Sequence, residues 1–96
     1  MSSEASIEGT CAKYAKWLGV PTFKLSGYIT GDPDRIFLLP GNTCLLVEFK
    51  KPGGRLSKRQ EVRHAQLRDA GHEVAVVYST QQFRKLLAGL LRLTVD

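Results

Sequence analysis

At positions 43–54 the chain reads TCLLVEFKKPGG. From Cys44 to Phe49 this is the pattern of a strand buried on both faces, yet Glu48 stands inside the apolar run and Lys50 follows two residues later. An unpaired carboxylate in such a place is costly, and it is normally protonated, paired or bound to a metal ion. The placement of Glu48 therefore bears on both the fold and the chemistry.

The segment upstream, TGDPDRIFLLPGN, supplies a partner strand and a tight turn at Pro40-Gly41-Asn42, which together make an antiparallel hairpin. Side chains at 34, 36 and 38 share one face of the first strand, and those at 44, 46, 48 and 50 share one face of the second. If Pro40, Gly41 and Asn42 form the whole loop, Leu39 pairs with Thr43 and Asp34 falls opposite Glu48. Directly opposed Cβ atoms lie roughly 4.5 to 5.5 Å apart. A two-residue loop would send the two acids to opposite faces.

Before the hairpin, the spacing predicts a helix from about Ser3 to Leu18, capped by Ser2, Ser3 or Ser6 and stopped by Gly19 and Pro21. Ile7, Cys11, Tyr14, Ala15 and Leu18 share one arc, with Glu4 and Glu8 at its edge and Trp17 off it. A strand at about Thr22–Tyr28 follows. After the KKPGGRL loop, a helix from Ser57 to Ala70 opens on the capping-box pair Ser57 and Gln60 and closes at Gly71. EVAVVY is then a strand reached through a helix, so a parallel crossover is expected. In the last helix, Ser79 and Gln82 suggest another capping box, and Phe83, Leu86, Leu87, Leu90 and Leu91 form a core stripe. The order is α-β-β-β-α-β-α, an α/β domain with a mixed central sheet flanked by helices.

The 96 residues are expected to form a single domain, with 43% hydrophobic and 24% charged residues as in ordinary globular chains. Fourteen Lys and Arg against nine acids give a net charge of +5. Six of those cations, Lys50, Lys51, Arg55, Lys58, Arg59 and Arg63, follow Glu48 directly. This favours an anionic partner such as nucleic acid. Cys11 and Cys44 lack CxxC spacing and are expected to be buried free thiols in a reducing cytosol. No signal-peptide pattern or membrane-spanning run is present, and a cytoplasmic location is expected. His64 and His72 are expected at the surface or in loops and receive no role.

Asp34, Glu48 and Lys50 make a compact set of two ligating carboxylates and one ammonium. Hard divalent cations favour such oxygen ligands, and magnesium usually keeps several waters. A bound ion would hold Glu48 ionised within its apolar strand. Lys50 beside it could orient a water or stabilise charge on a phosphate.

GDPDRIFLLPG followed by LLVEFKKPGGRLSKRQ resembles the virus-type replication-repair nuclease (VRR-NUC) domain, a small branch of the PD-(D/E)XK nuclease superfamily with a minimal restriction-endonuclease-like fold. Asp34 matches the motif aspartate behind Pro33, Glu48-Phe49-Lys50 matches E-x-K, and Glu8 in SIEGT resembles the first-helix glutamate. Gln60 corresponds to the glutamine opening the helix after the basic loop. The resemblance implies a DNA endonuclease dependent on Mg2+ or Mn2+, with the ion held by Glu8, Asp34, Glu48 and the main-chain carbonyl of Phe49. Lys50 would be the catalytic lysine. Lys51, Arg55, Lys58, Arg59 and Arg63 are expected to meet DNA, with Lys24 and Arg35 as weaker candidates. With no second domain in its length, the chain fits the stand-alone phage type, which resembles homodimeric Holliday junction resolvases. The alternatives are a monomeric flap or nicking nuclease and a non-catalytic module that binds branched DNA. Glu4, one turn before Glu8, could supplement or replace it.

Overall fold

The computed structural model describes residues 3–25 and 29–95, with side chains described through Arg92. Among them the chain order is α1 (Glu4–Trp17), β1 (Thr22–Lys24), β2 (Arg35–Leu39), β3 (Thr43–Phe49), α2 (Lys58–Asp69), β4 (Glu73–Val77) and α3 (Thr80–Val95). The strands form one sheet in the order β1-β2-β3-β4, antiparallel except for the parallel β3–β4 pair. That parallel pair is the crossover expected from the helix between them. The result is a small mixed α/β sheet, consistent with a PD-(D/E)XK-like fold.

The hairpin sets the register. Leu39 pairs with Thr43, Leu38 with Cys44 and Arg35 with Val47. Gly41 (φ 76°) and Asn42 (φ 63°) both take the left-handed conformation, which glycine and asparagine tolerate best. The loop is therefore odd in length, and continuing the pairing beyond Arg35 brings Asp34 opposite Glu48. The Asp34 N–H donates to the Val47 carbonyl at 2.9 Å, extending the ladder to that residue.

The two faces of β3 bury different chemistry. Leu45, Val47 and Phe49 point into a core shared with Ile7, Cys11 and Ala15 of α1, Phe37 and Leu39 of β2, Val77 of β4, and Phe83 and Leu87 of α3. Phe83 is fully buried, with its ring centroid 5.0 Å from that of Phe37 and 6.3 Å from that of Phe49. Leu86, Leu90 and Leu91 pack against the same core, as the stripe in α3 predicted. The opposite face meets α2, which buries one residue, His64. Cover on this face grows along β3, from exposed Cys44 through half-buried Leu46 to buried Glu48.

Local signals account for the helix ends. Ser3 caps α1 by accepting from the Ser6 N–H, and Ser57 and Gln60 form the expected capping box on α2. Such caps are each worth about 1 kcal/mol. At α3 only half of the expected box forms. Ser79 accepts from the Gln82 N–H at 3.0 Å, but Gln82 Oε1 accepts from the Tyr78 N–H at 2.7 Å, while its Nε2 donates to the Val76 carbonyl at 2.9 Å.

Four expectations change. β1 ends at Lys24, not near Tyr28, and positions 26–28 lie outside the described residues. As an edge strand it leaves Phe23 exposed. Leu18 is the C-cap of α1, at the point where the chain leaves the helix, and is also exposed. Cys11 is buried, and burial pushes its thiol up to about 12, whereas Cys44 is exposed at the uncovered end of the α2 face. His64, expected at the surface, is completely buried.

Replacing Phe83 by Ala should destabilise the protein by about 3–5 kcal/mol, the usual cost of emptying an aromatic core site. Urea unfolding would read this directly. A loss well under 1 kcal/mol would mean that the cluster around Phe83 is not the centre of the core.

Candidate metal and nucleic-acid site

At the end of the sheet where β2 begins and β3 ends, Asp34 and Glu48 face each other. Asp34 Oδ2 accepts the Phe49 N–H at 2.8 Å, so the backbone of the E-x-K strand itself holds the aspartate. Glu48 is only 3% exposed. Gln60 Nε2 donates to its Oε2 at 3.2 Å, while the Gln60 Oε1 accepts the Ser57 N–H at 2.9 Å. One glutamine thus both caps α2 and holds the buried carboxylate. Its two-headed amide makes both contacts at once.

His64 follows Gln60 by one helical turn and lies against the same carboxylate. Its Nε2 is 3.4 Å from Glu48 Oε1, and neither that oxygen nor either His64 ring nitrogen has a hydrogen-bond partner. Sequence reasoning missed this residue because the polar composition of α2 conceals a single inward position. The signal available was the spacing, since Gln60 and His64 are four apart and share a helix face.

Burial, together with the charge and hydrogen bonding of Asp34, pushes the Glu48 carboxyl up to about 8, against the opposing pull of the Lys50 ammonium. Burial and the nearby Arg68 move the His64 imidazole down from its ordinary value. Without a counter-charge, this environment favours the protonated form of Glu48. Phe49 lies in the core with its N–H committed to Asp34, and the Lys50 N–H pairs with the Val77 carbonyl at 2.9 Å.

The two first-helix acids are held differently. Glu8 Oε2 accepts from Arg35 Nε at 2.7 Å and lies 3.3 Å from Lys24 Nζ, so it ties α1 to the β1–β2 edge. Of the weaker phosphate candidates, Arg35 is thus half-buried in a hydrogen-bonded ion pair, whereas Lys24 keeps its side chain exposed. Glu4, one turn nearer the end of α1, is exposed, and its charge is the smallest of the influences that raise Glu48. Among the described residues, no three His, Cys, Asp or Glu side chains are grouped closely enough to form a full ligand set.

The basic residues also separate. Lys51, Arg55, Lys58 and Arg59 are exposed. Arg63 is instead half-buried, with Nε 2.6 Å from Asp32 Oδ1 and Nη1 donating to Gln66. This ion pair fastens the loop before Asp34 to α2. Gly31 makes the same contact closer still: its φ is +96°, and a Cβ there would stand 2.6 Å from the Arg59 carbonyl oxygen. At this position only glycine lets the loop lie against the helix.

Among the described residues no helix is long and apolar enough to cross a membrane. The VRR-NUC domain family model matches residues 5–81. The chain is 35% identical over 77 residues, 79% of its own length and 83% of the relative's, to "Putative nuclease p44" of Acyrthosiphon pisum secondary endosymbiont phage 1. A solved structure titled VRR_NUC domain superposes with a TM-score of 0.80 at 28% identity, covering 91% of this chain and 97% of that one. With its mixed sheet and its facing carboxylates at the E-x-K strand, the chain belongs to the VRR-NUC family of nuclease domains.

Proposed function

We propose that this nuclease is a metal-dependent, structure-specific DNA endonuclease that resolves four-way (Holliday) junctions as a homodimer, with all 96 residues acting as one domain. The observation that carries the reading is the pairing of buried Glu48 with half-buried Asp34 across the hairpin. Phe49 fixes Asp34 and Gln60 fixes one oxygen of Glu48, while Glu48 Oε1 is left without a hydrogen bond. Two facing carboxylates, whose oxygens can accept a hydrogen bond and still offer a second lone pair, fit a hard divalent cation, either Mg2+ or Mn2+, that completes its shell with water and substrate oxygens. No small-molecule cofactor is needed for such chemistry.

Asp34 and Glu48 would hold the ion, with the Phe49 carbonyl available at the same strand position. In our reading Glu4 supplies the first-helix carboxylate, and Glu8, already neutralised by Arg35 and Lys24, orients the helix. When bound, the ion supplies Lewis acidity at the scissile phosphate and favours deprotonation of the attacking water. Lys50 stabilises negative charge developing on the phosphate oxygens. Exposed Lys51, Arg55, Lys58 and Arg59 receive the flanking DNA backbone. Arg63 contributes indirectly by holding the Asp32 loop.

One such site cuts one strand, and a four-way junction offers two symmetric strands, so a two-fold pair of copies suits it. Trp17 is 81% exposed and stacks on Tyr14, with ring centroids 6.4 Å apart, which supports an interface on α1. The similarity to a phage protein favours action in the cytoplasm of a bacterial host, in recombination or repair of replicating DNA.

An end-labelled four-way junction, set beside duplex and flap DNA, should give paired symmetric nicks with Mg2+ or Mn2+ and none with EDTA. Glu48→Ala should reduce cleavage to background, and Lys50→Ala should lower it by about 10²–10³-fold, the scale for losing one charge-stabilising group, with junction binding retained in both. Cleavage by a clean Glu48→Ala preparation, or binding without cutting in either metal, would sink the mechanism.

The two first-helix acids should part under substitution. Glu4→Gln should weaken Mn2+ binding in calorimetry and slow cleavage, while Glu8→Gln should chiefly lower the unfolding temperature. The reverse pattern would return the ligand role to Glu8.

Stability should also depend on pH in a way that metal reverses. Because the folded-state Glu48 value of about 8 lies above its unfolded value, its contribution is complete at low pH and is lost as pH rises through 8. His64, shifted down, acts oppositely but only below its ordinary range near 6.5. Between about pH 6.5 and 8.5 the metal-free protein should therefore lose thermal stability, and Mn2+ should restore more at pH 8.5 than at 6.5. A metal-free midpoint that rises across this window would mean that Glu48 is already ionised.

A further inference from the structure

We propose that His64 is a positioning residue for Glu48, donating its Nε2–H to Oε1 so that His64 and Gln60 together fix both oxygens of the carboxylate. This rests on the metal-dependent reading above and extends it to a residue outside the motif. His64 has no exposure, and it is the residue that α2 buries. Burying an imidazole against an apolar sheet without partners is unfavourable. Yet its nitrogens have no hydrogen bond, and the nearest complementary group is Glu48 Oε1, itself buried and unpaired, 3.4 Å from Nε2.

The separation is a little beyond the usual 2.7–3.2 Å for N–H···O. In unliganded sites such bonds are often long and tighten when the reactive complex assembles. Closing this one requires only a few tenths of an ångström of approach from the 3.4 Å separation. Gln60 already accounts for the other oxygen at 3.2 Å. The two donors come from successive turns of one helix face, so α2 works as a clamp on the carboxylate plane. Complete burial argues against His64 as a direct ligand, because the ion must keep water and admit a phosphate. Outer partners that orient ligating groups typically govern metal affinity by about 10- to 100-fold.

The test uses the full chain with His64→Leu, which fills similar space without a donor, and His64→Gln, whose amide reaches about as far as Nε2. Calorimetric titration of the metal-free protein with Mn2+ should show affinity weakened by about 10- to 100-fold in the Leu variant and largely restored in the Gln variant. With junction DNA, kcat should fall while KM stays near the wild-type value. A folded Leu variant with wild-type Mn2+ affinity would overturn the proposal alone. No Mn2+ binding by the wild type would overturn the metal reading and this proposal with it. Should the Leu variant fail to fold, 15N–1H NMR of wild-type His64 decides. A protonated Nε2 whose signal moves on adding Mg2+ supports the clamp, and a bare Nε2 with the proton on Nδ1 overturns it.

Discussion

The register of one hairpin governs the chemistry of this molecule. With Leu39 against Thr43 and Arg35 against Val47, the pairing brings Asp34 and Glu48 to the same face, at the end of the sheet where α2 covers it. Side chains alternate strictly along a strand, so a slip of one residue would send Glu48 into the aromatic core and Phe49 toward α2. Both errors are expensive, and the register is correspondingly well specified. The left-handed pair Gly41 and Asn42 selects the loop length that makes this register available.

The sheet then divides labour between its faces. Phe37, Leu45, Val47, Phe49, Phe83 and Leu87 supply the burial that stabilises the fold, while the other face carries acids that oppose it. A carboxyl raised to about 8 is a local cost that the aromatic cluster must offset. Placing Phe49 between Glu48 and Lys50 joins the two requirements in three consecutive residues. Its side chain anchors the strand in the core, and its N–H restrains Asp34. Strong core packing one residue away therefore limits the freedom of a site that would otherwise relax by moving its two acids apart.

Much of this was legible in the sequence, for physical reasons that apply element by element. The hairpin register followed from alternation and turn chemistry, α2 from Ser57 and Gln60, and α3 from its leucine spacing. Chemistry carried by adjacent strands could be read because parity is a local rule. The burial of His64 could not, since α2 is polar overall and one inward residue leaves almost no periodic signal. The exposure of Cys44 was hidden for a related reason: how far a short helix covers a strand depends on where the crossover sets it down.

Charge presented the same problem in a sharper form. Lys24, Arg35 and Arg63 look no different in sequence from Lys51, Arg55, Lys58 and Arg59. In the folded chain Arg35 and Arg63 are half-buried against Glu8 and Asp32, and Lys24 pairs with Glu8 from an exposed position, while the others are exposed with no such ion pair among the described residues. The bound set holds the elements around the carboxylates, with α1 tied to the β1–β2 edge and the loop before Asp34 tied to α2. A guanidinium spent on a partly buried carboxylate is partly neutralised before any polyanion arrives. The exposed set keeps its charge in water. It is thus the distribution of acids, more than the surplus of bases, that determines which cations tie the elements of the fold together and which stay at the surface.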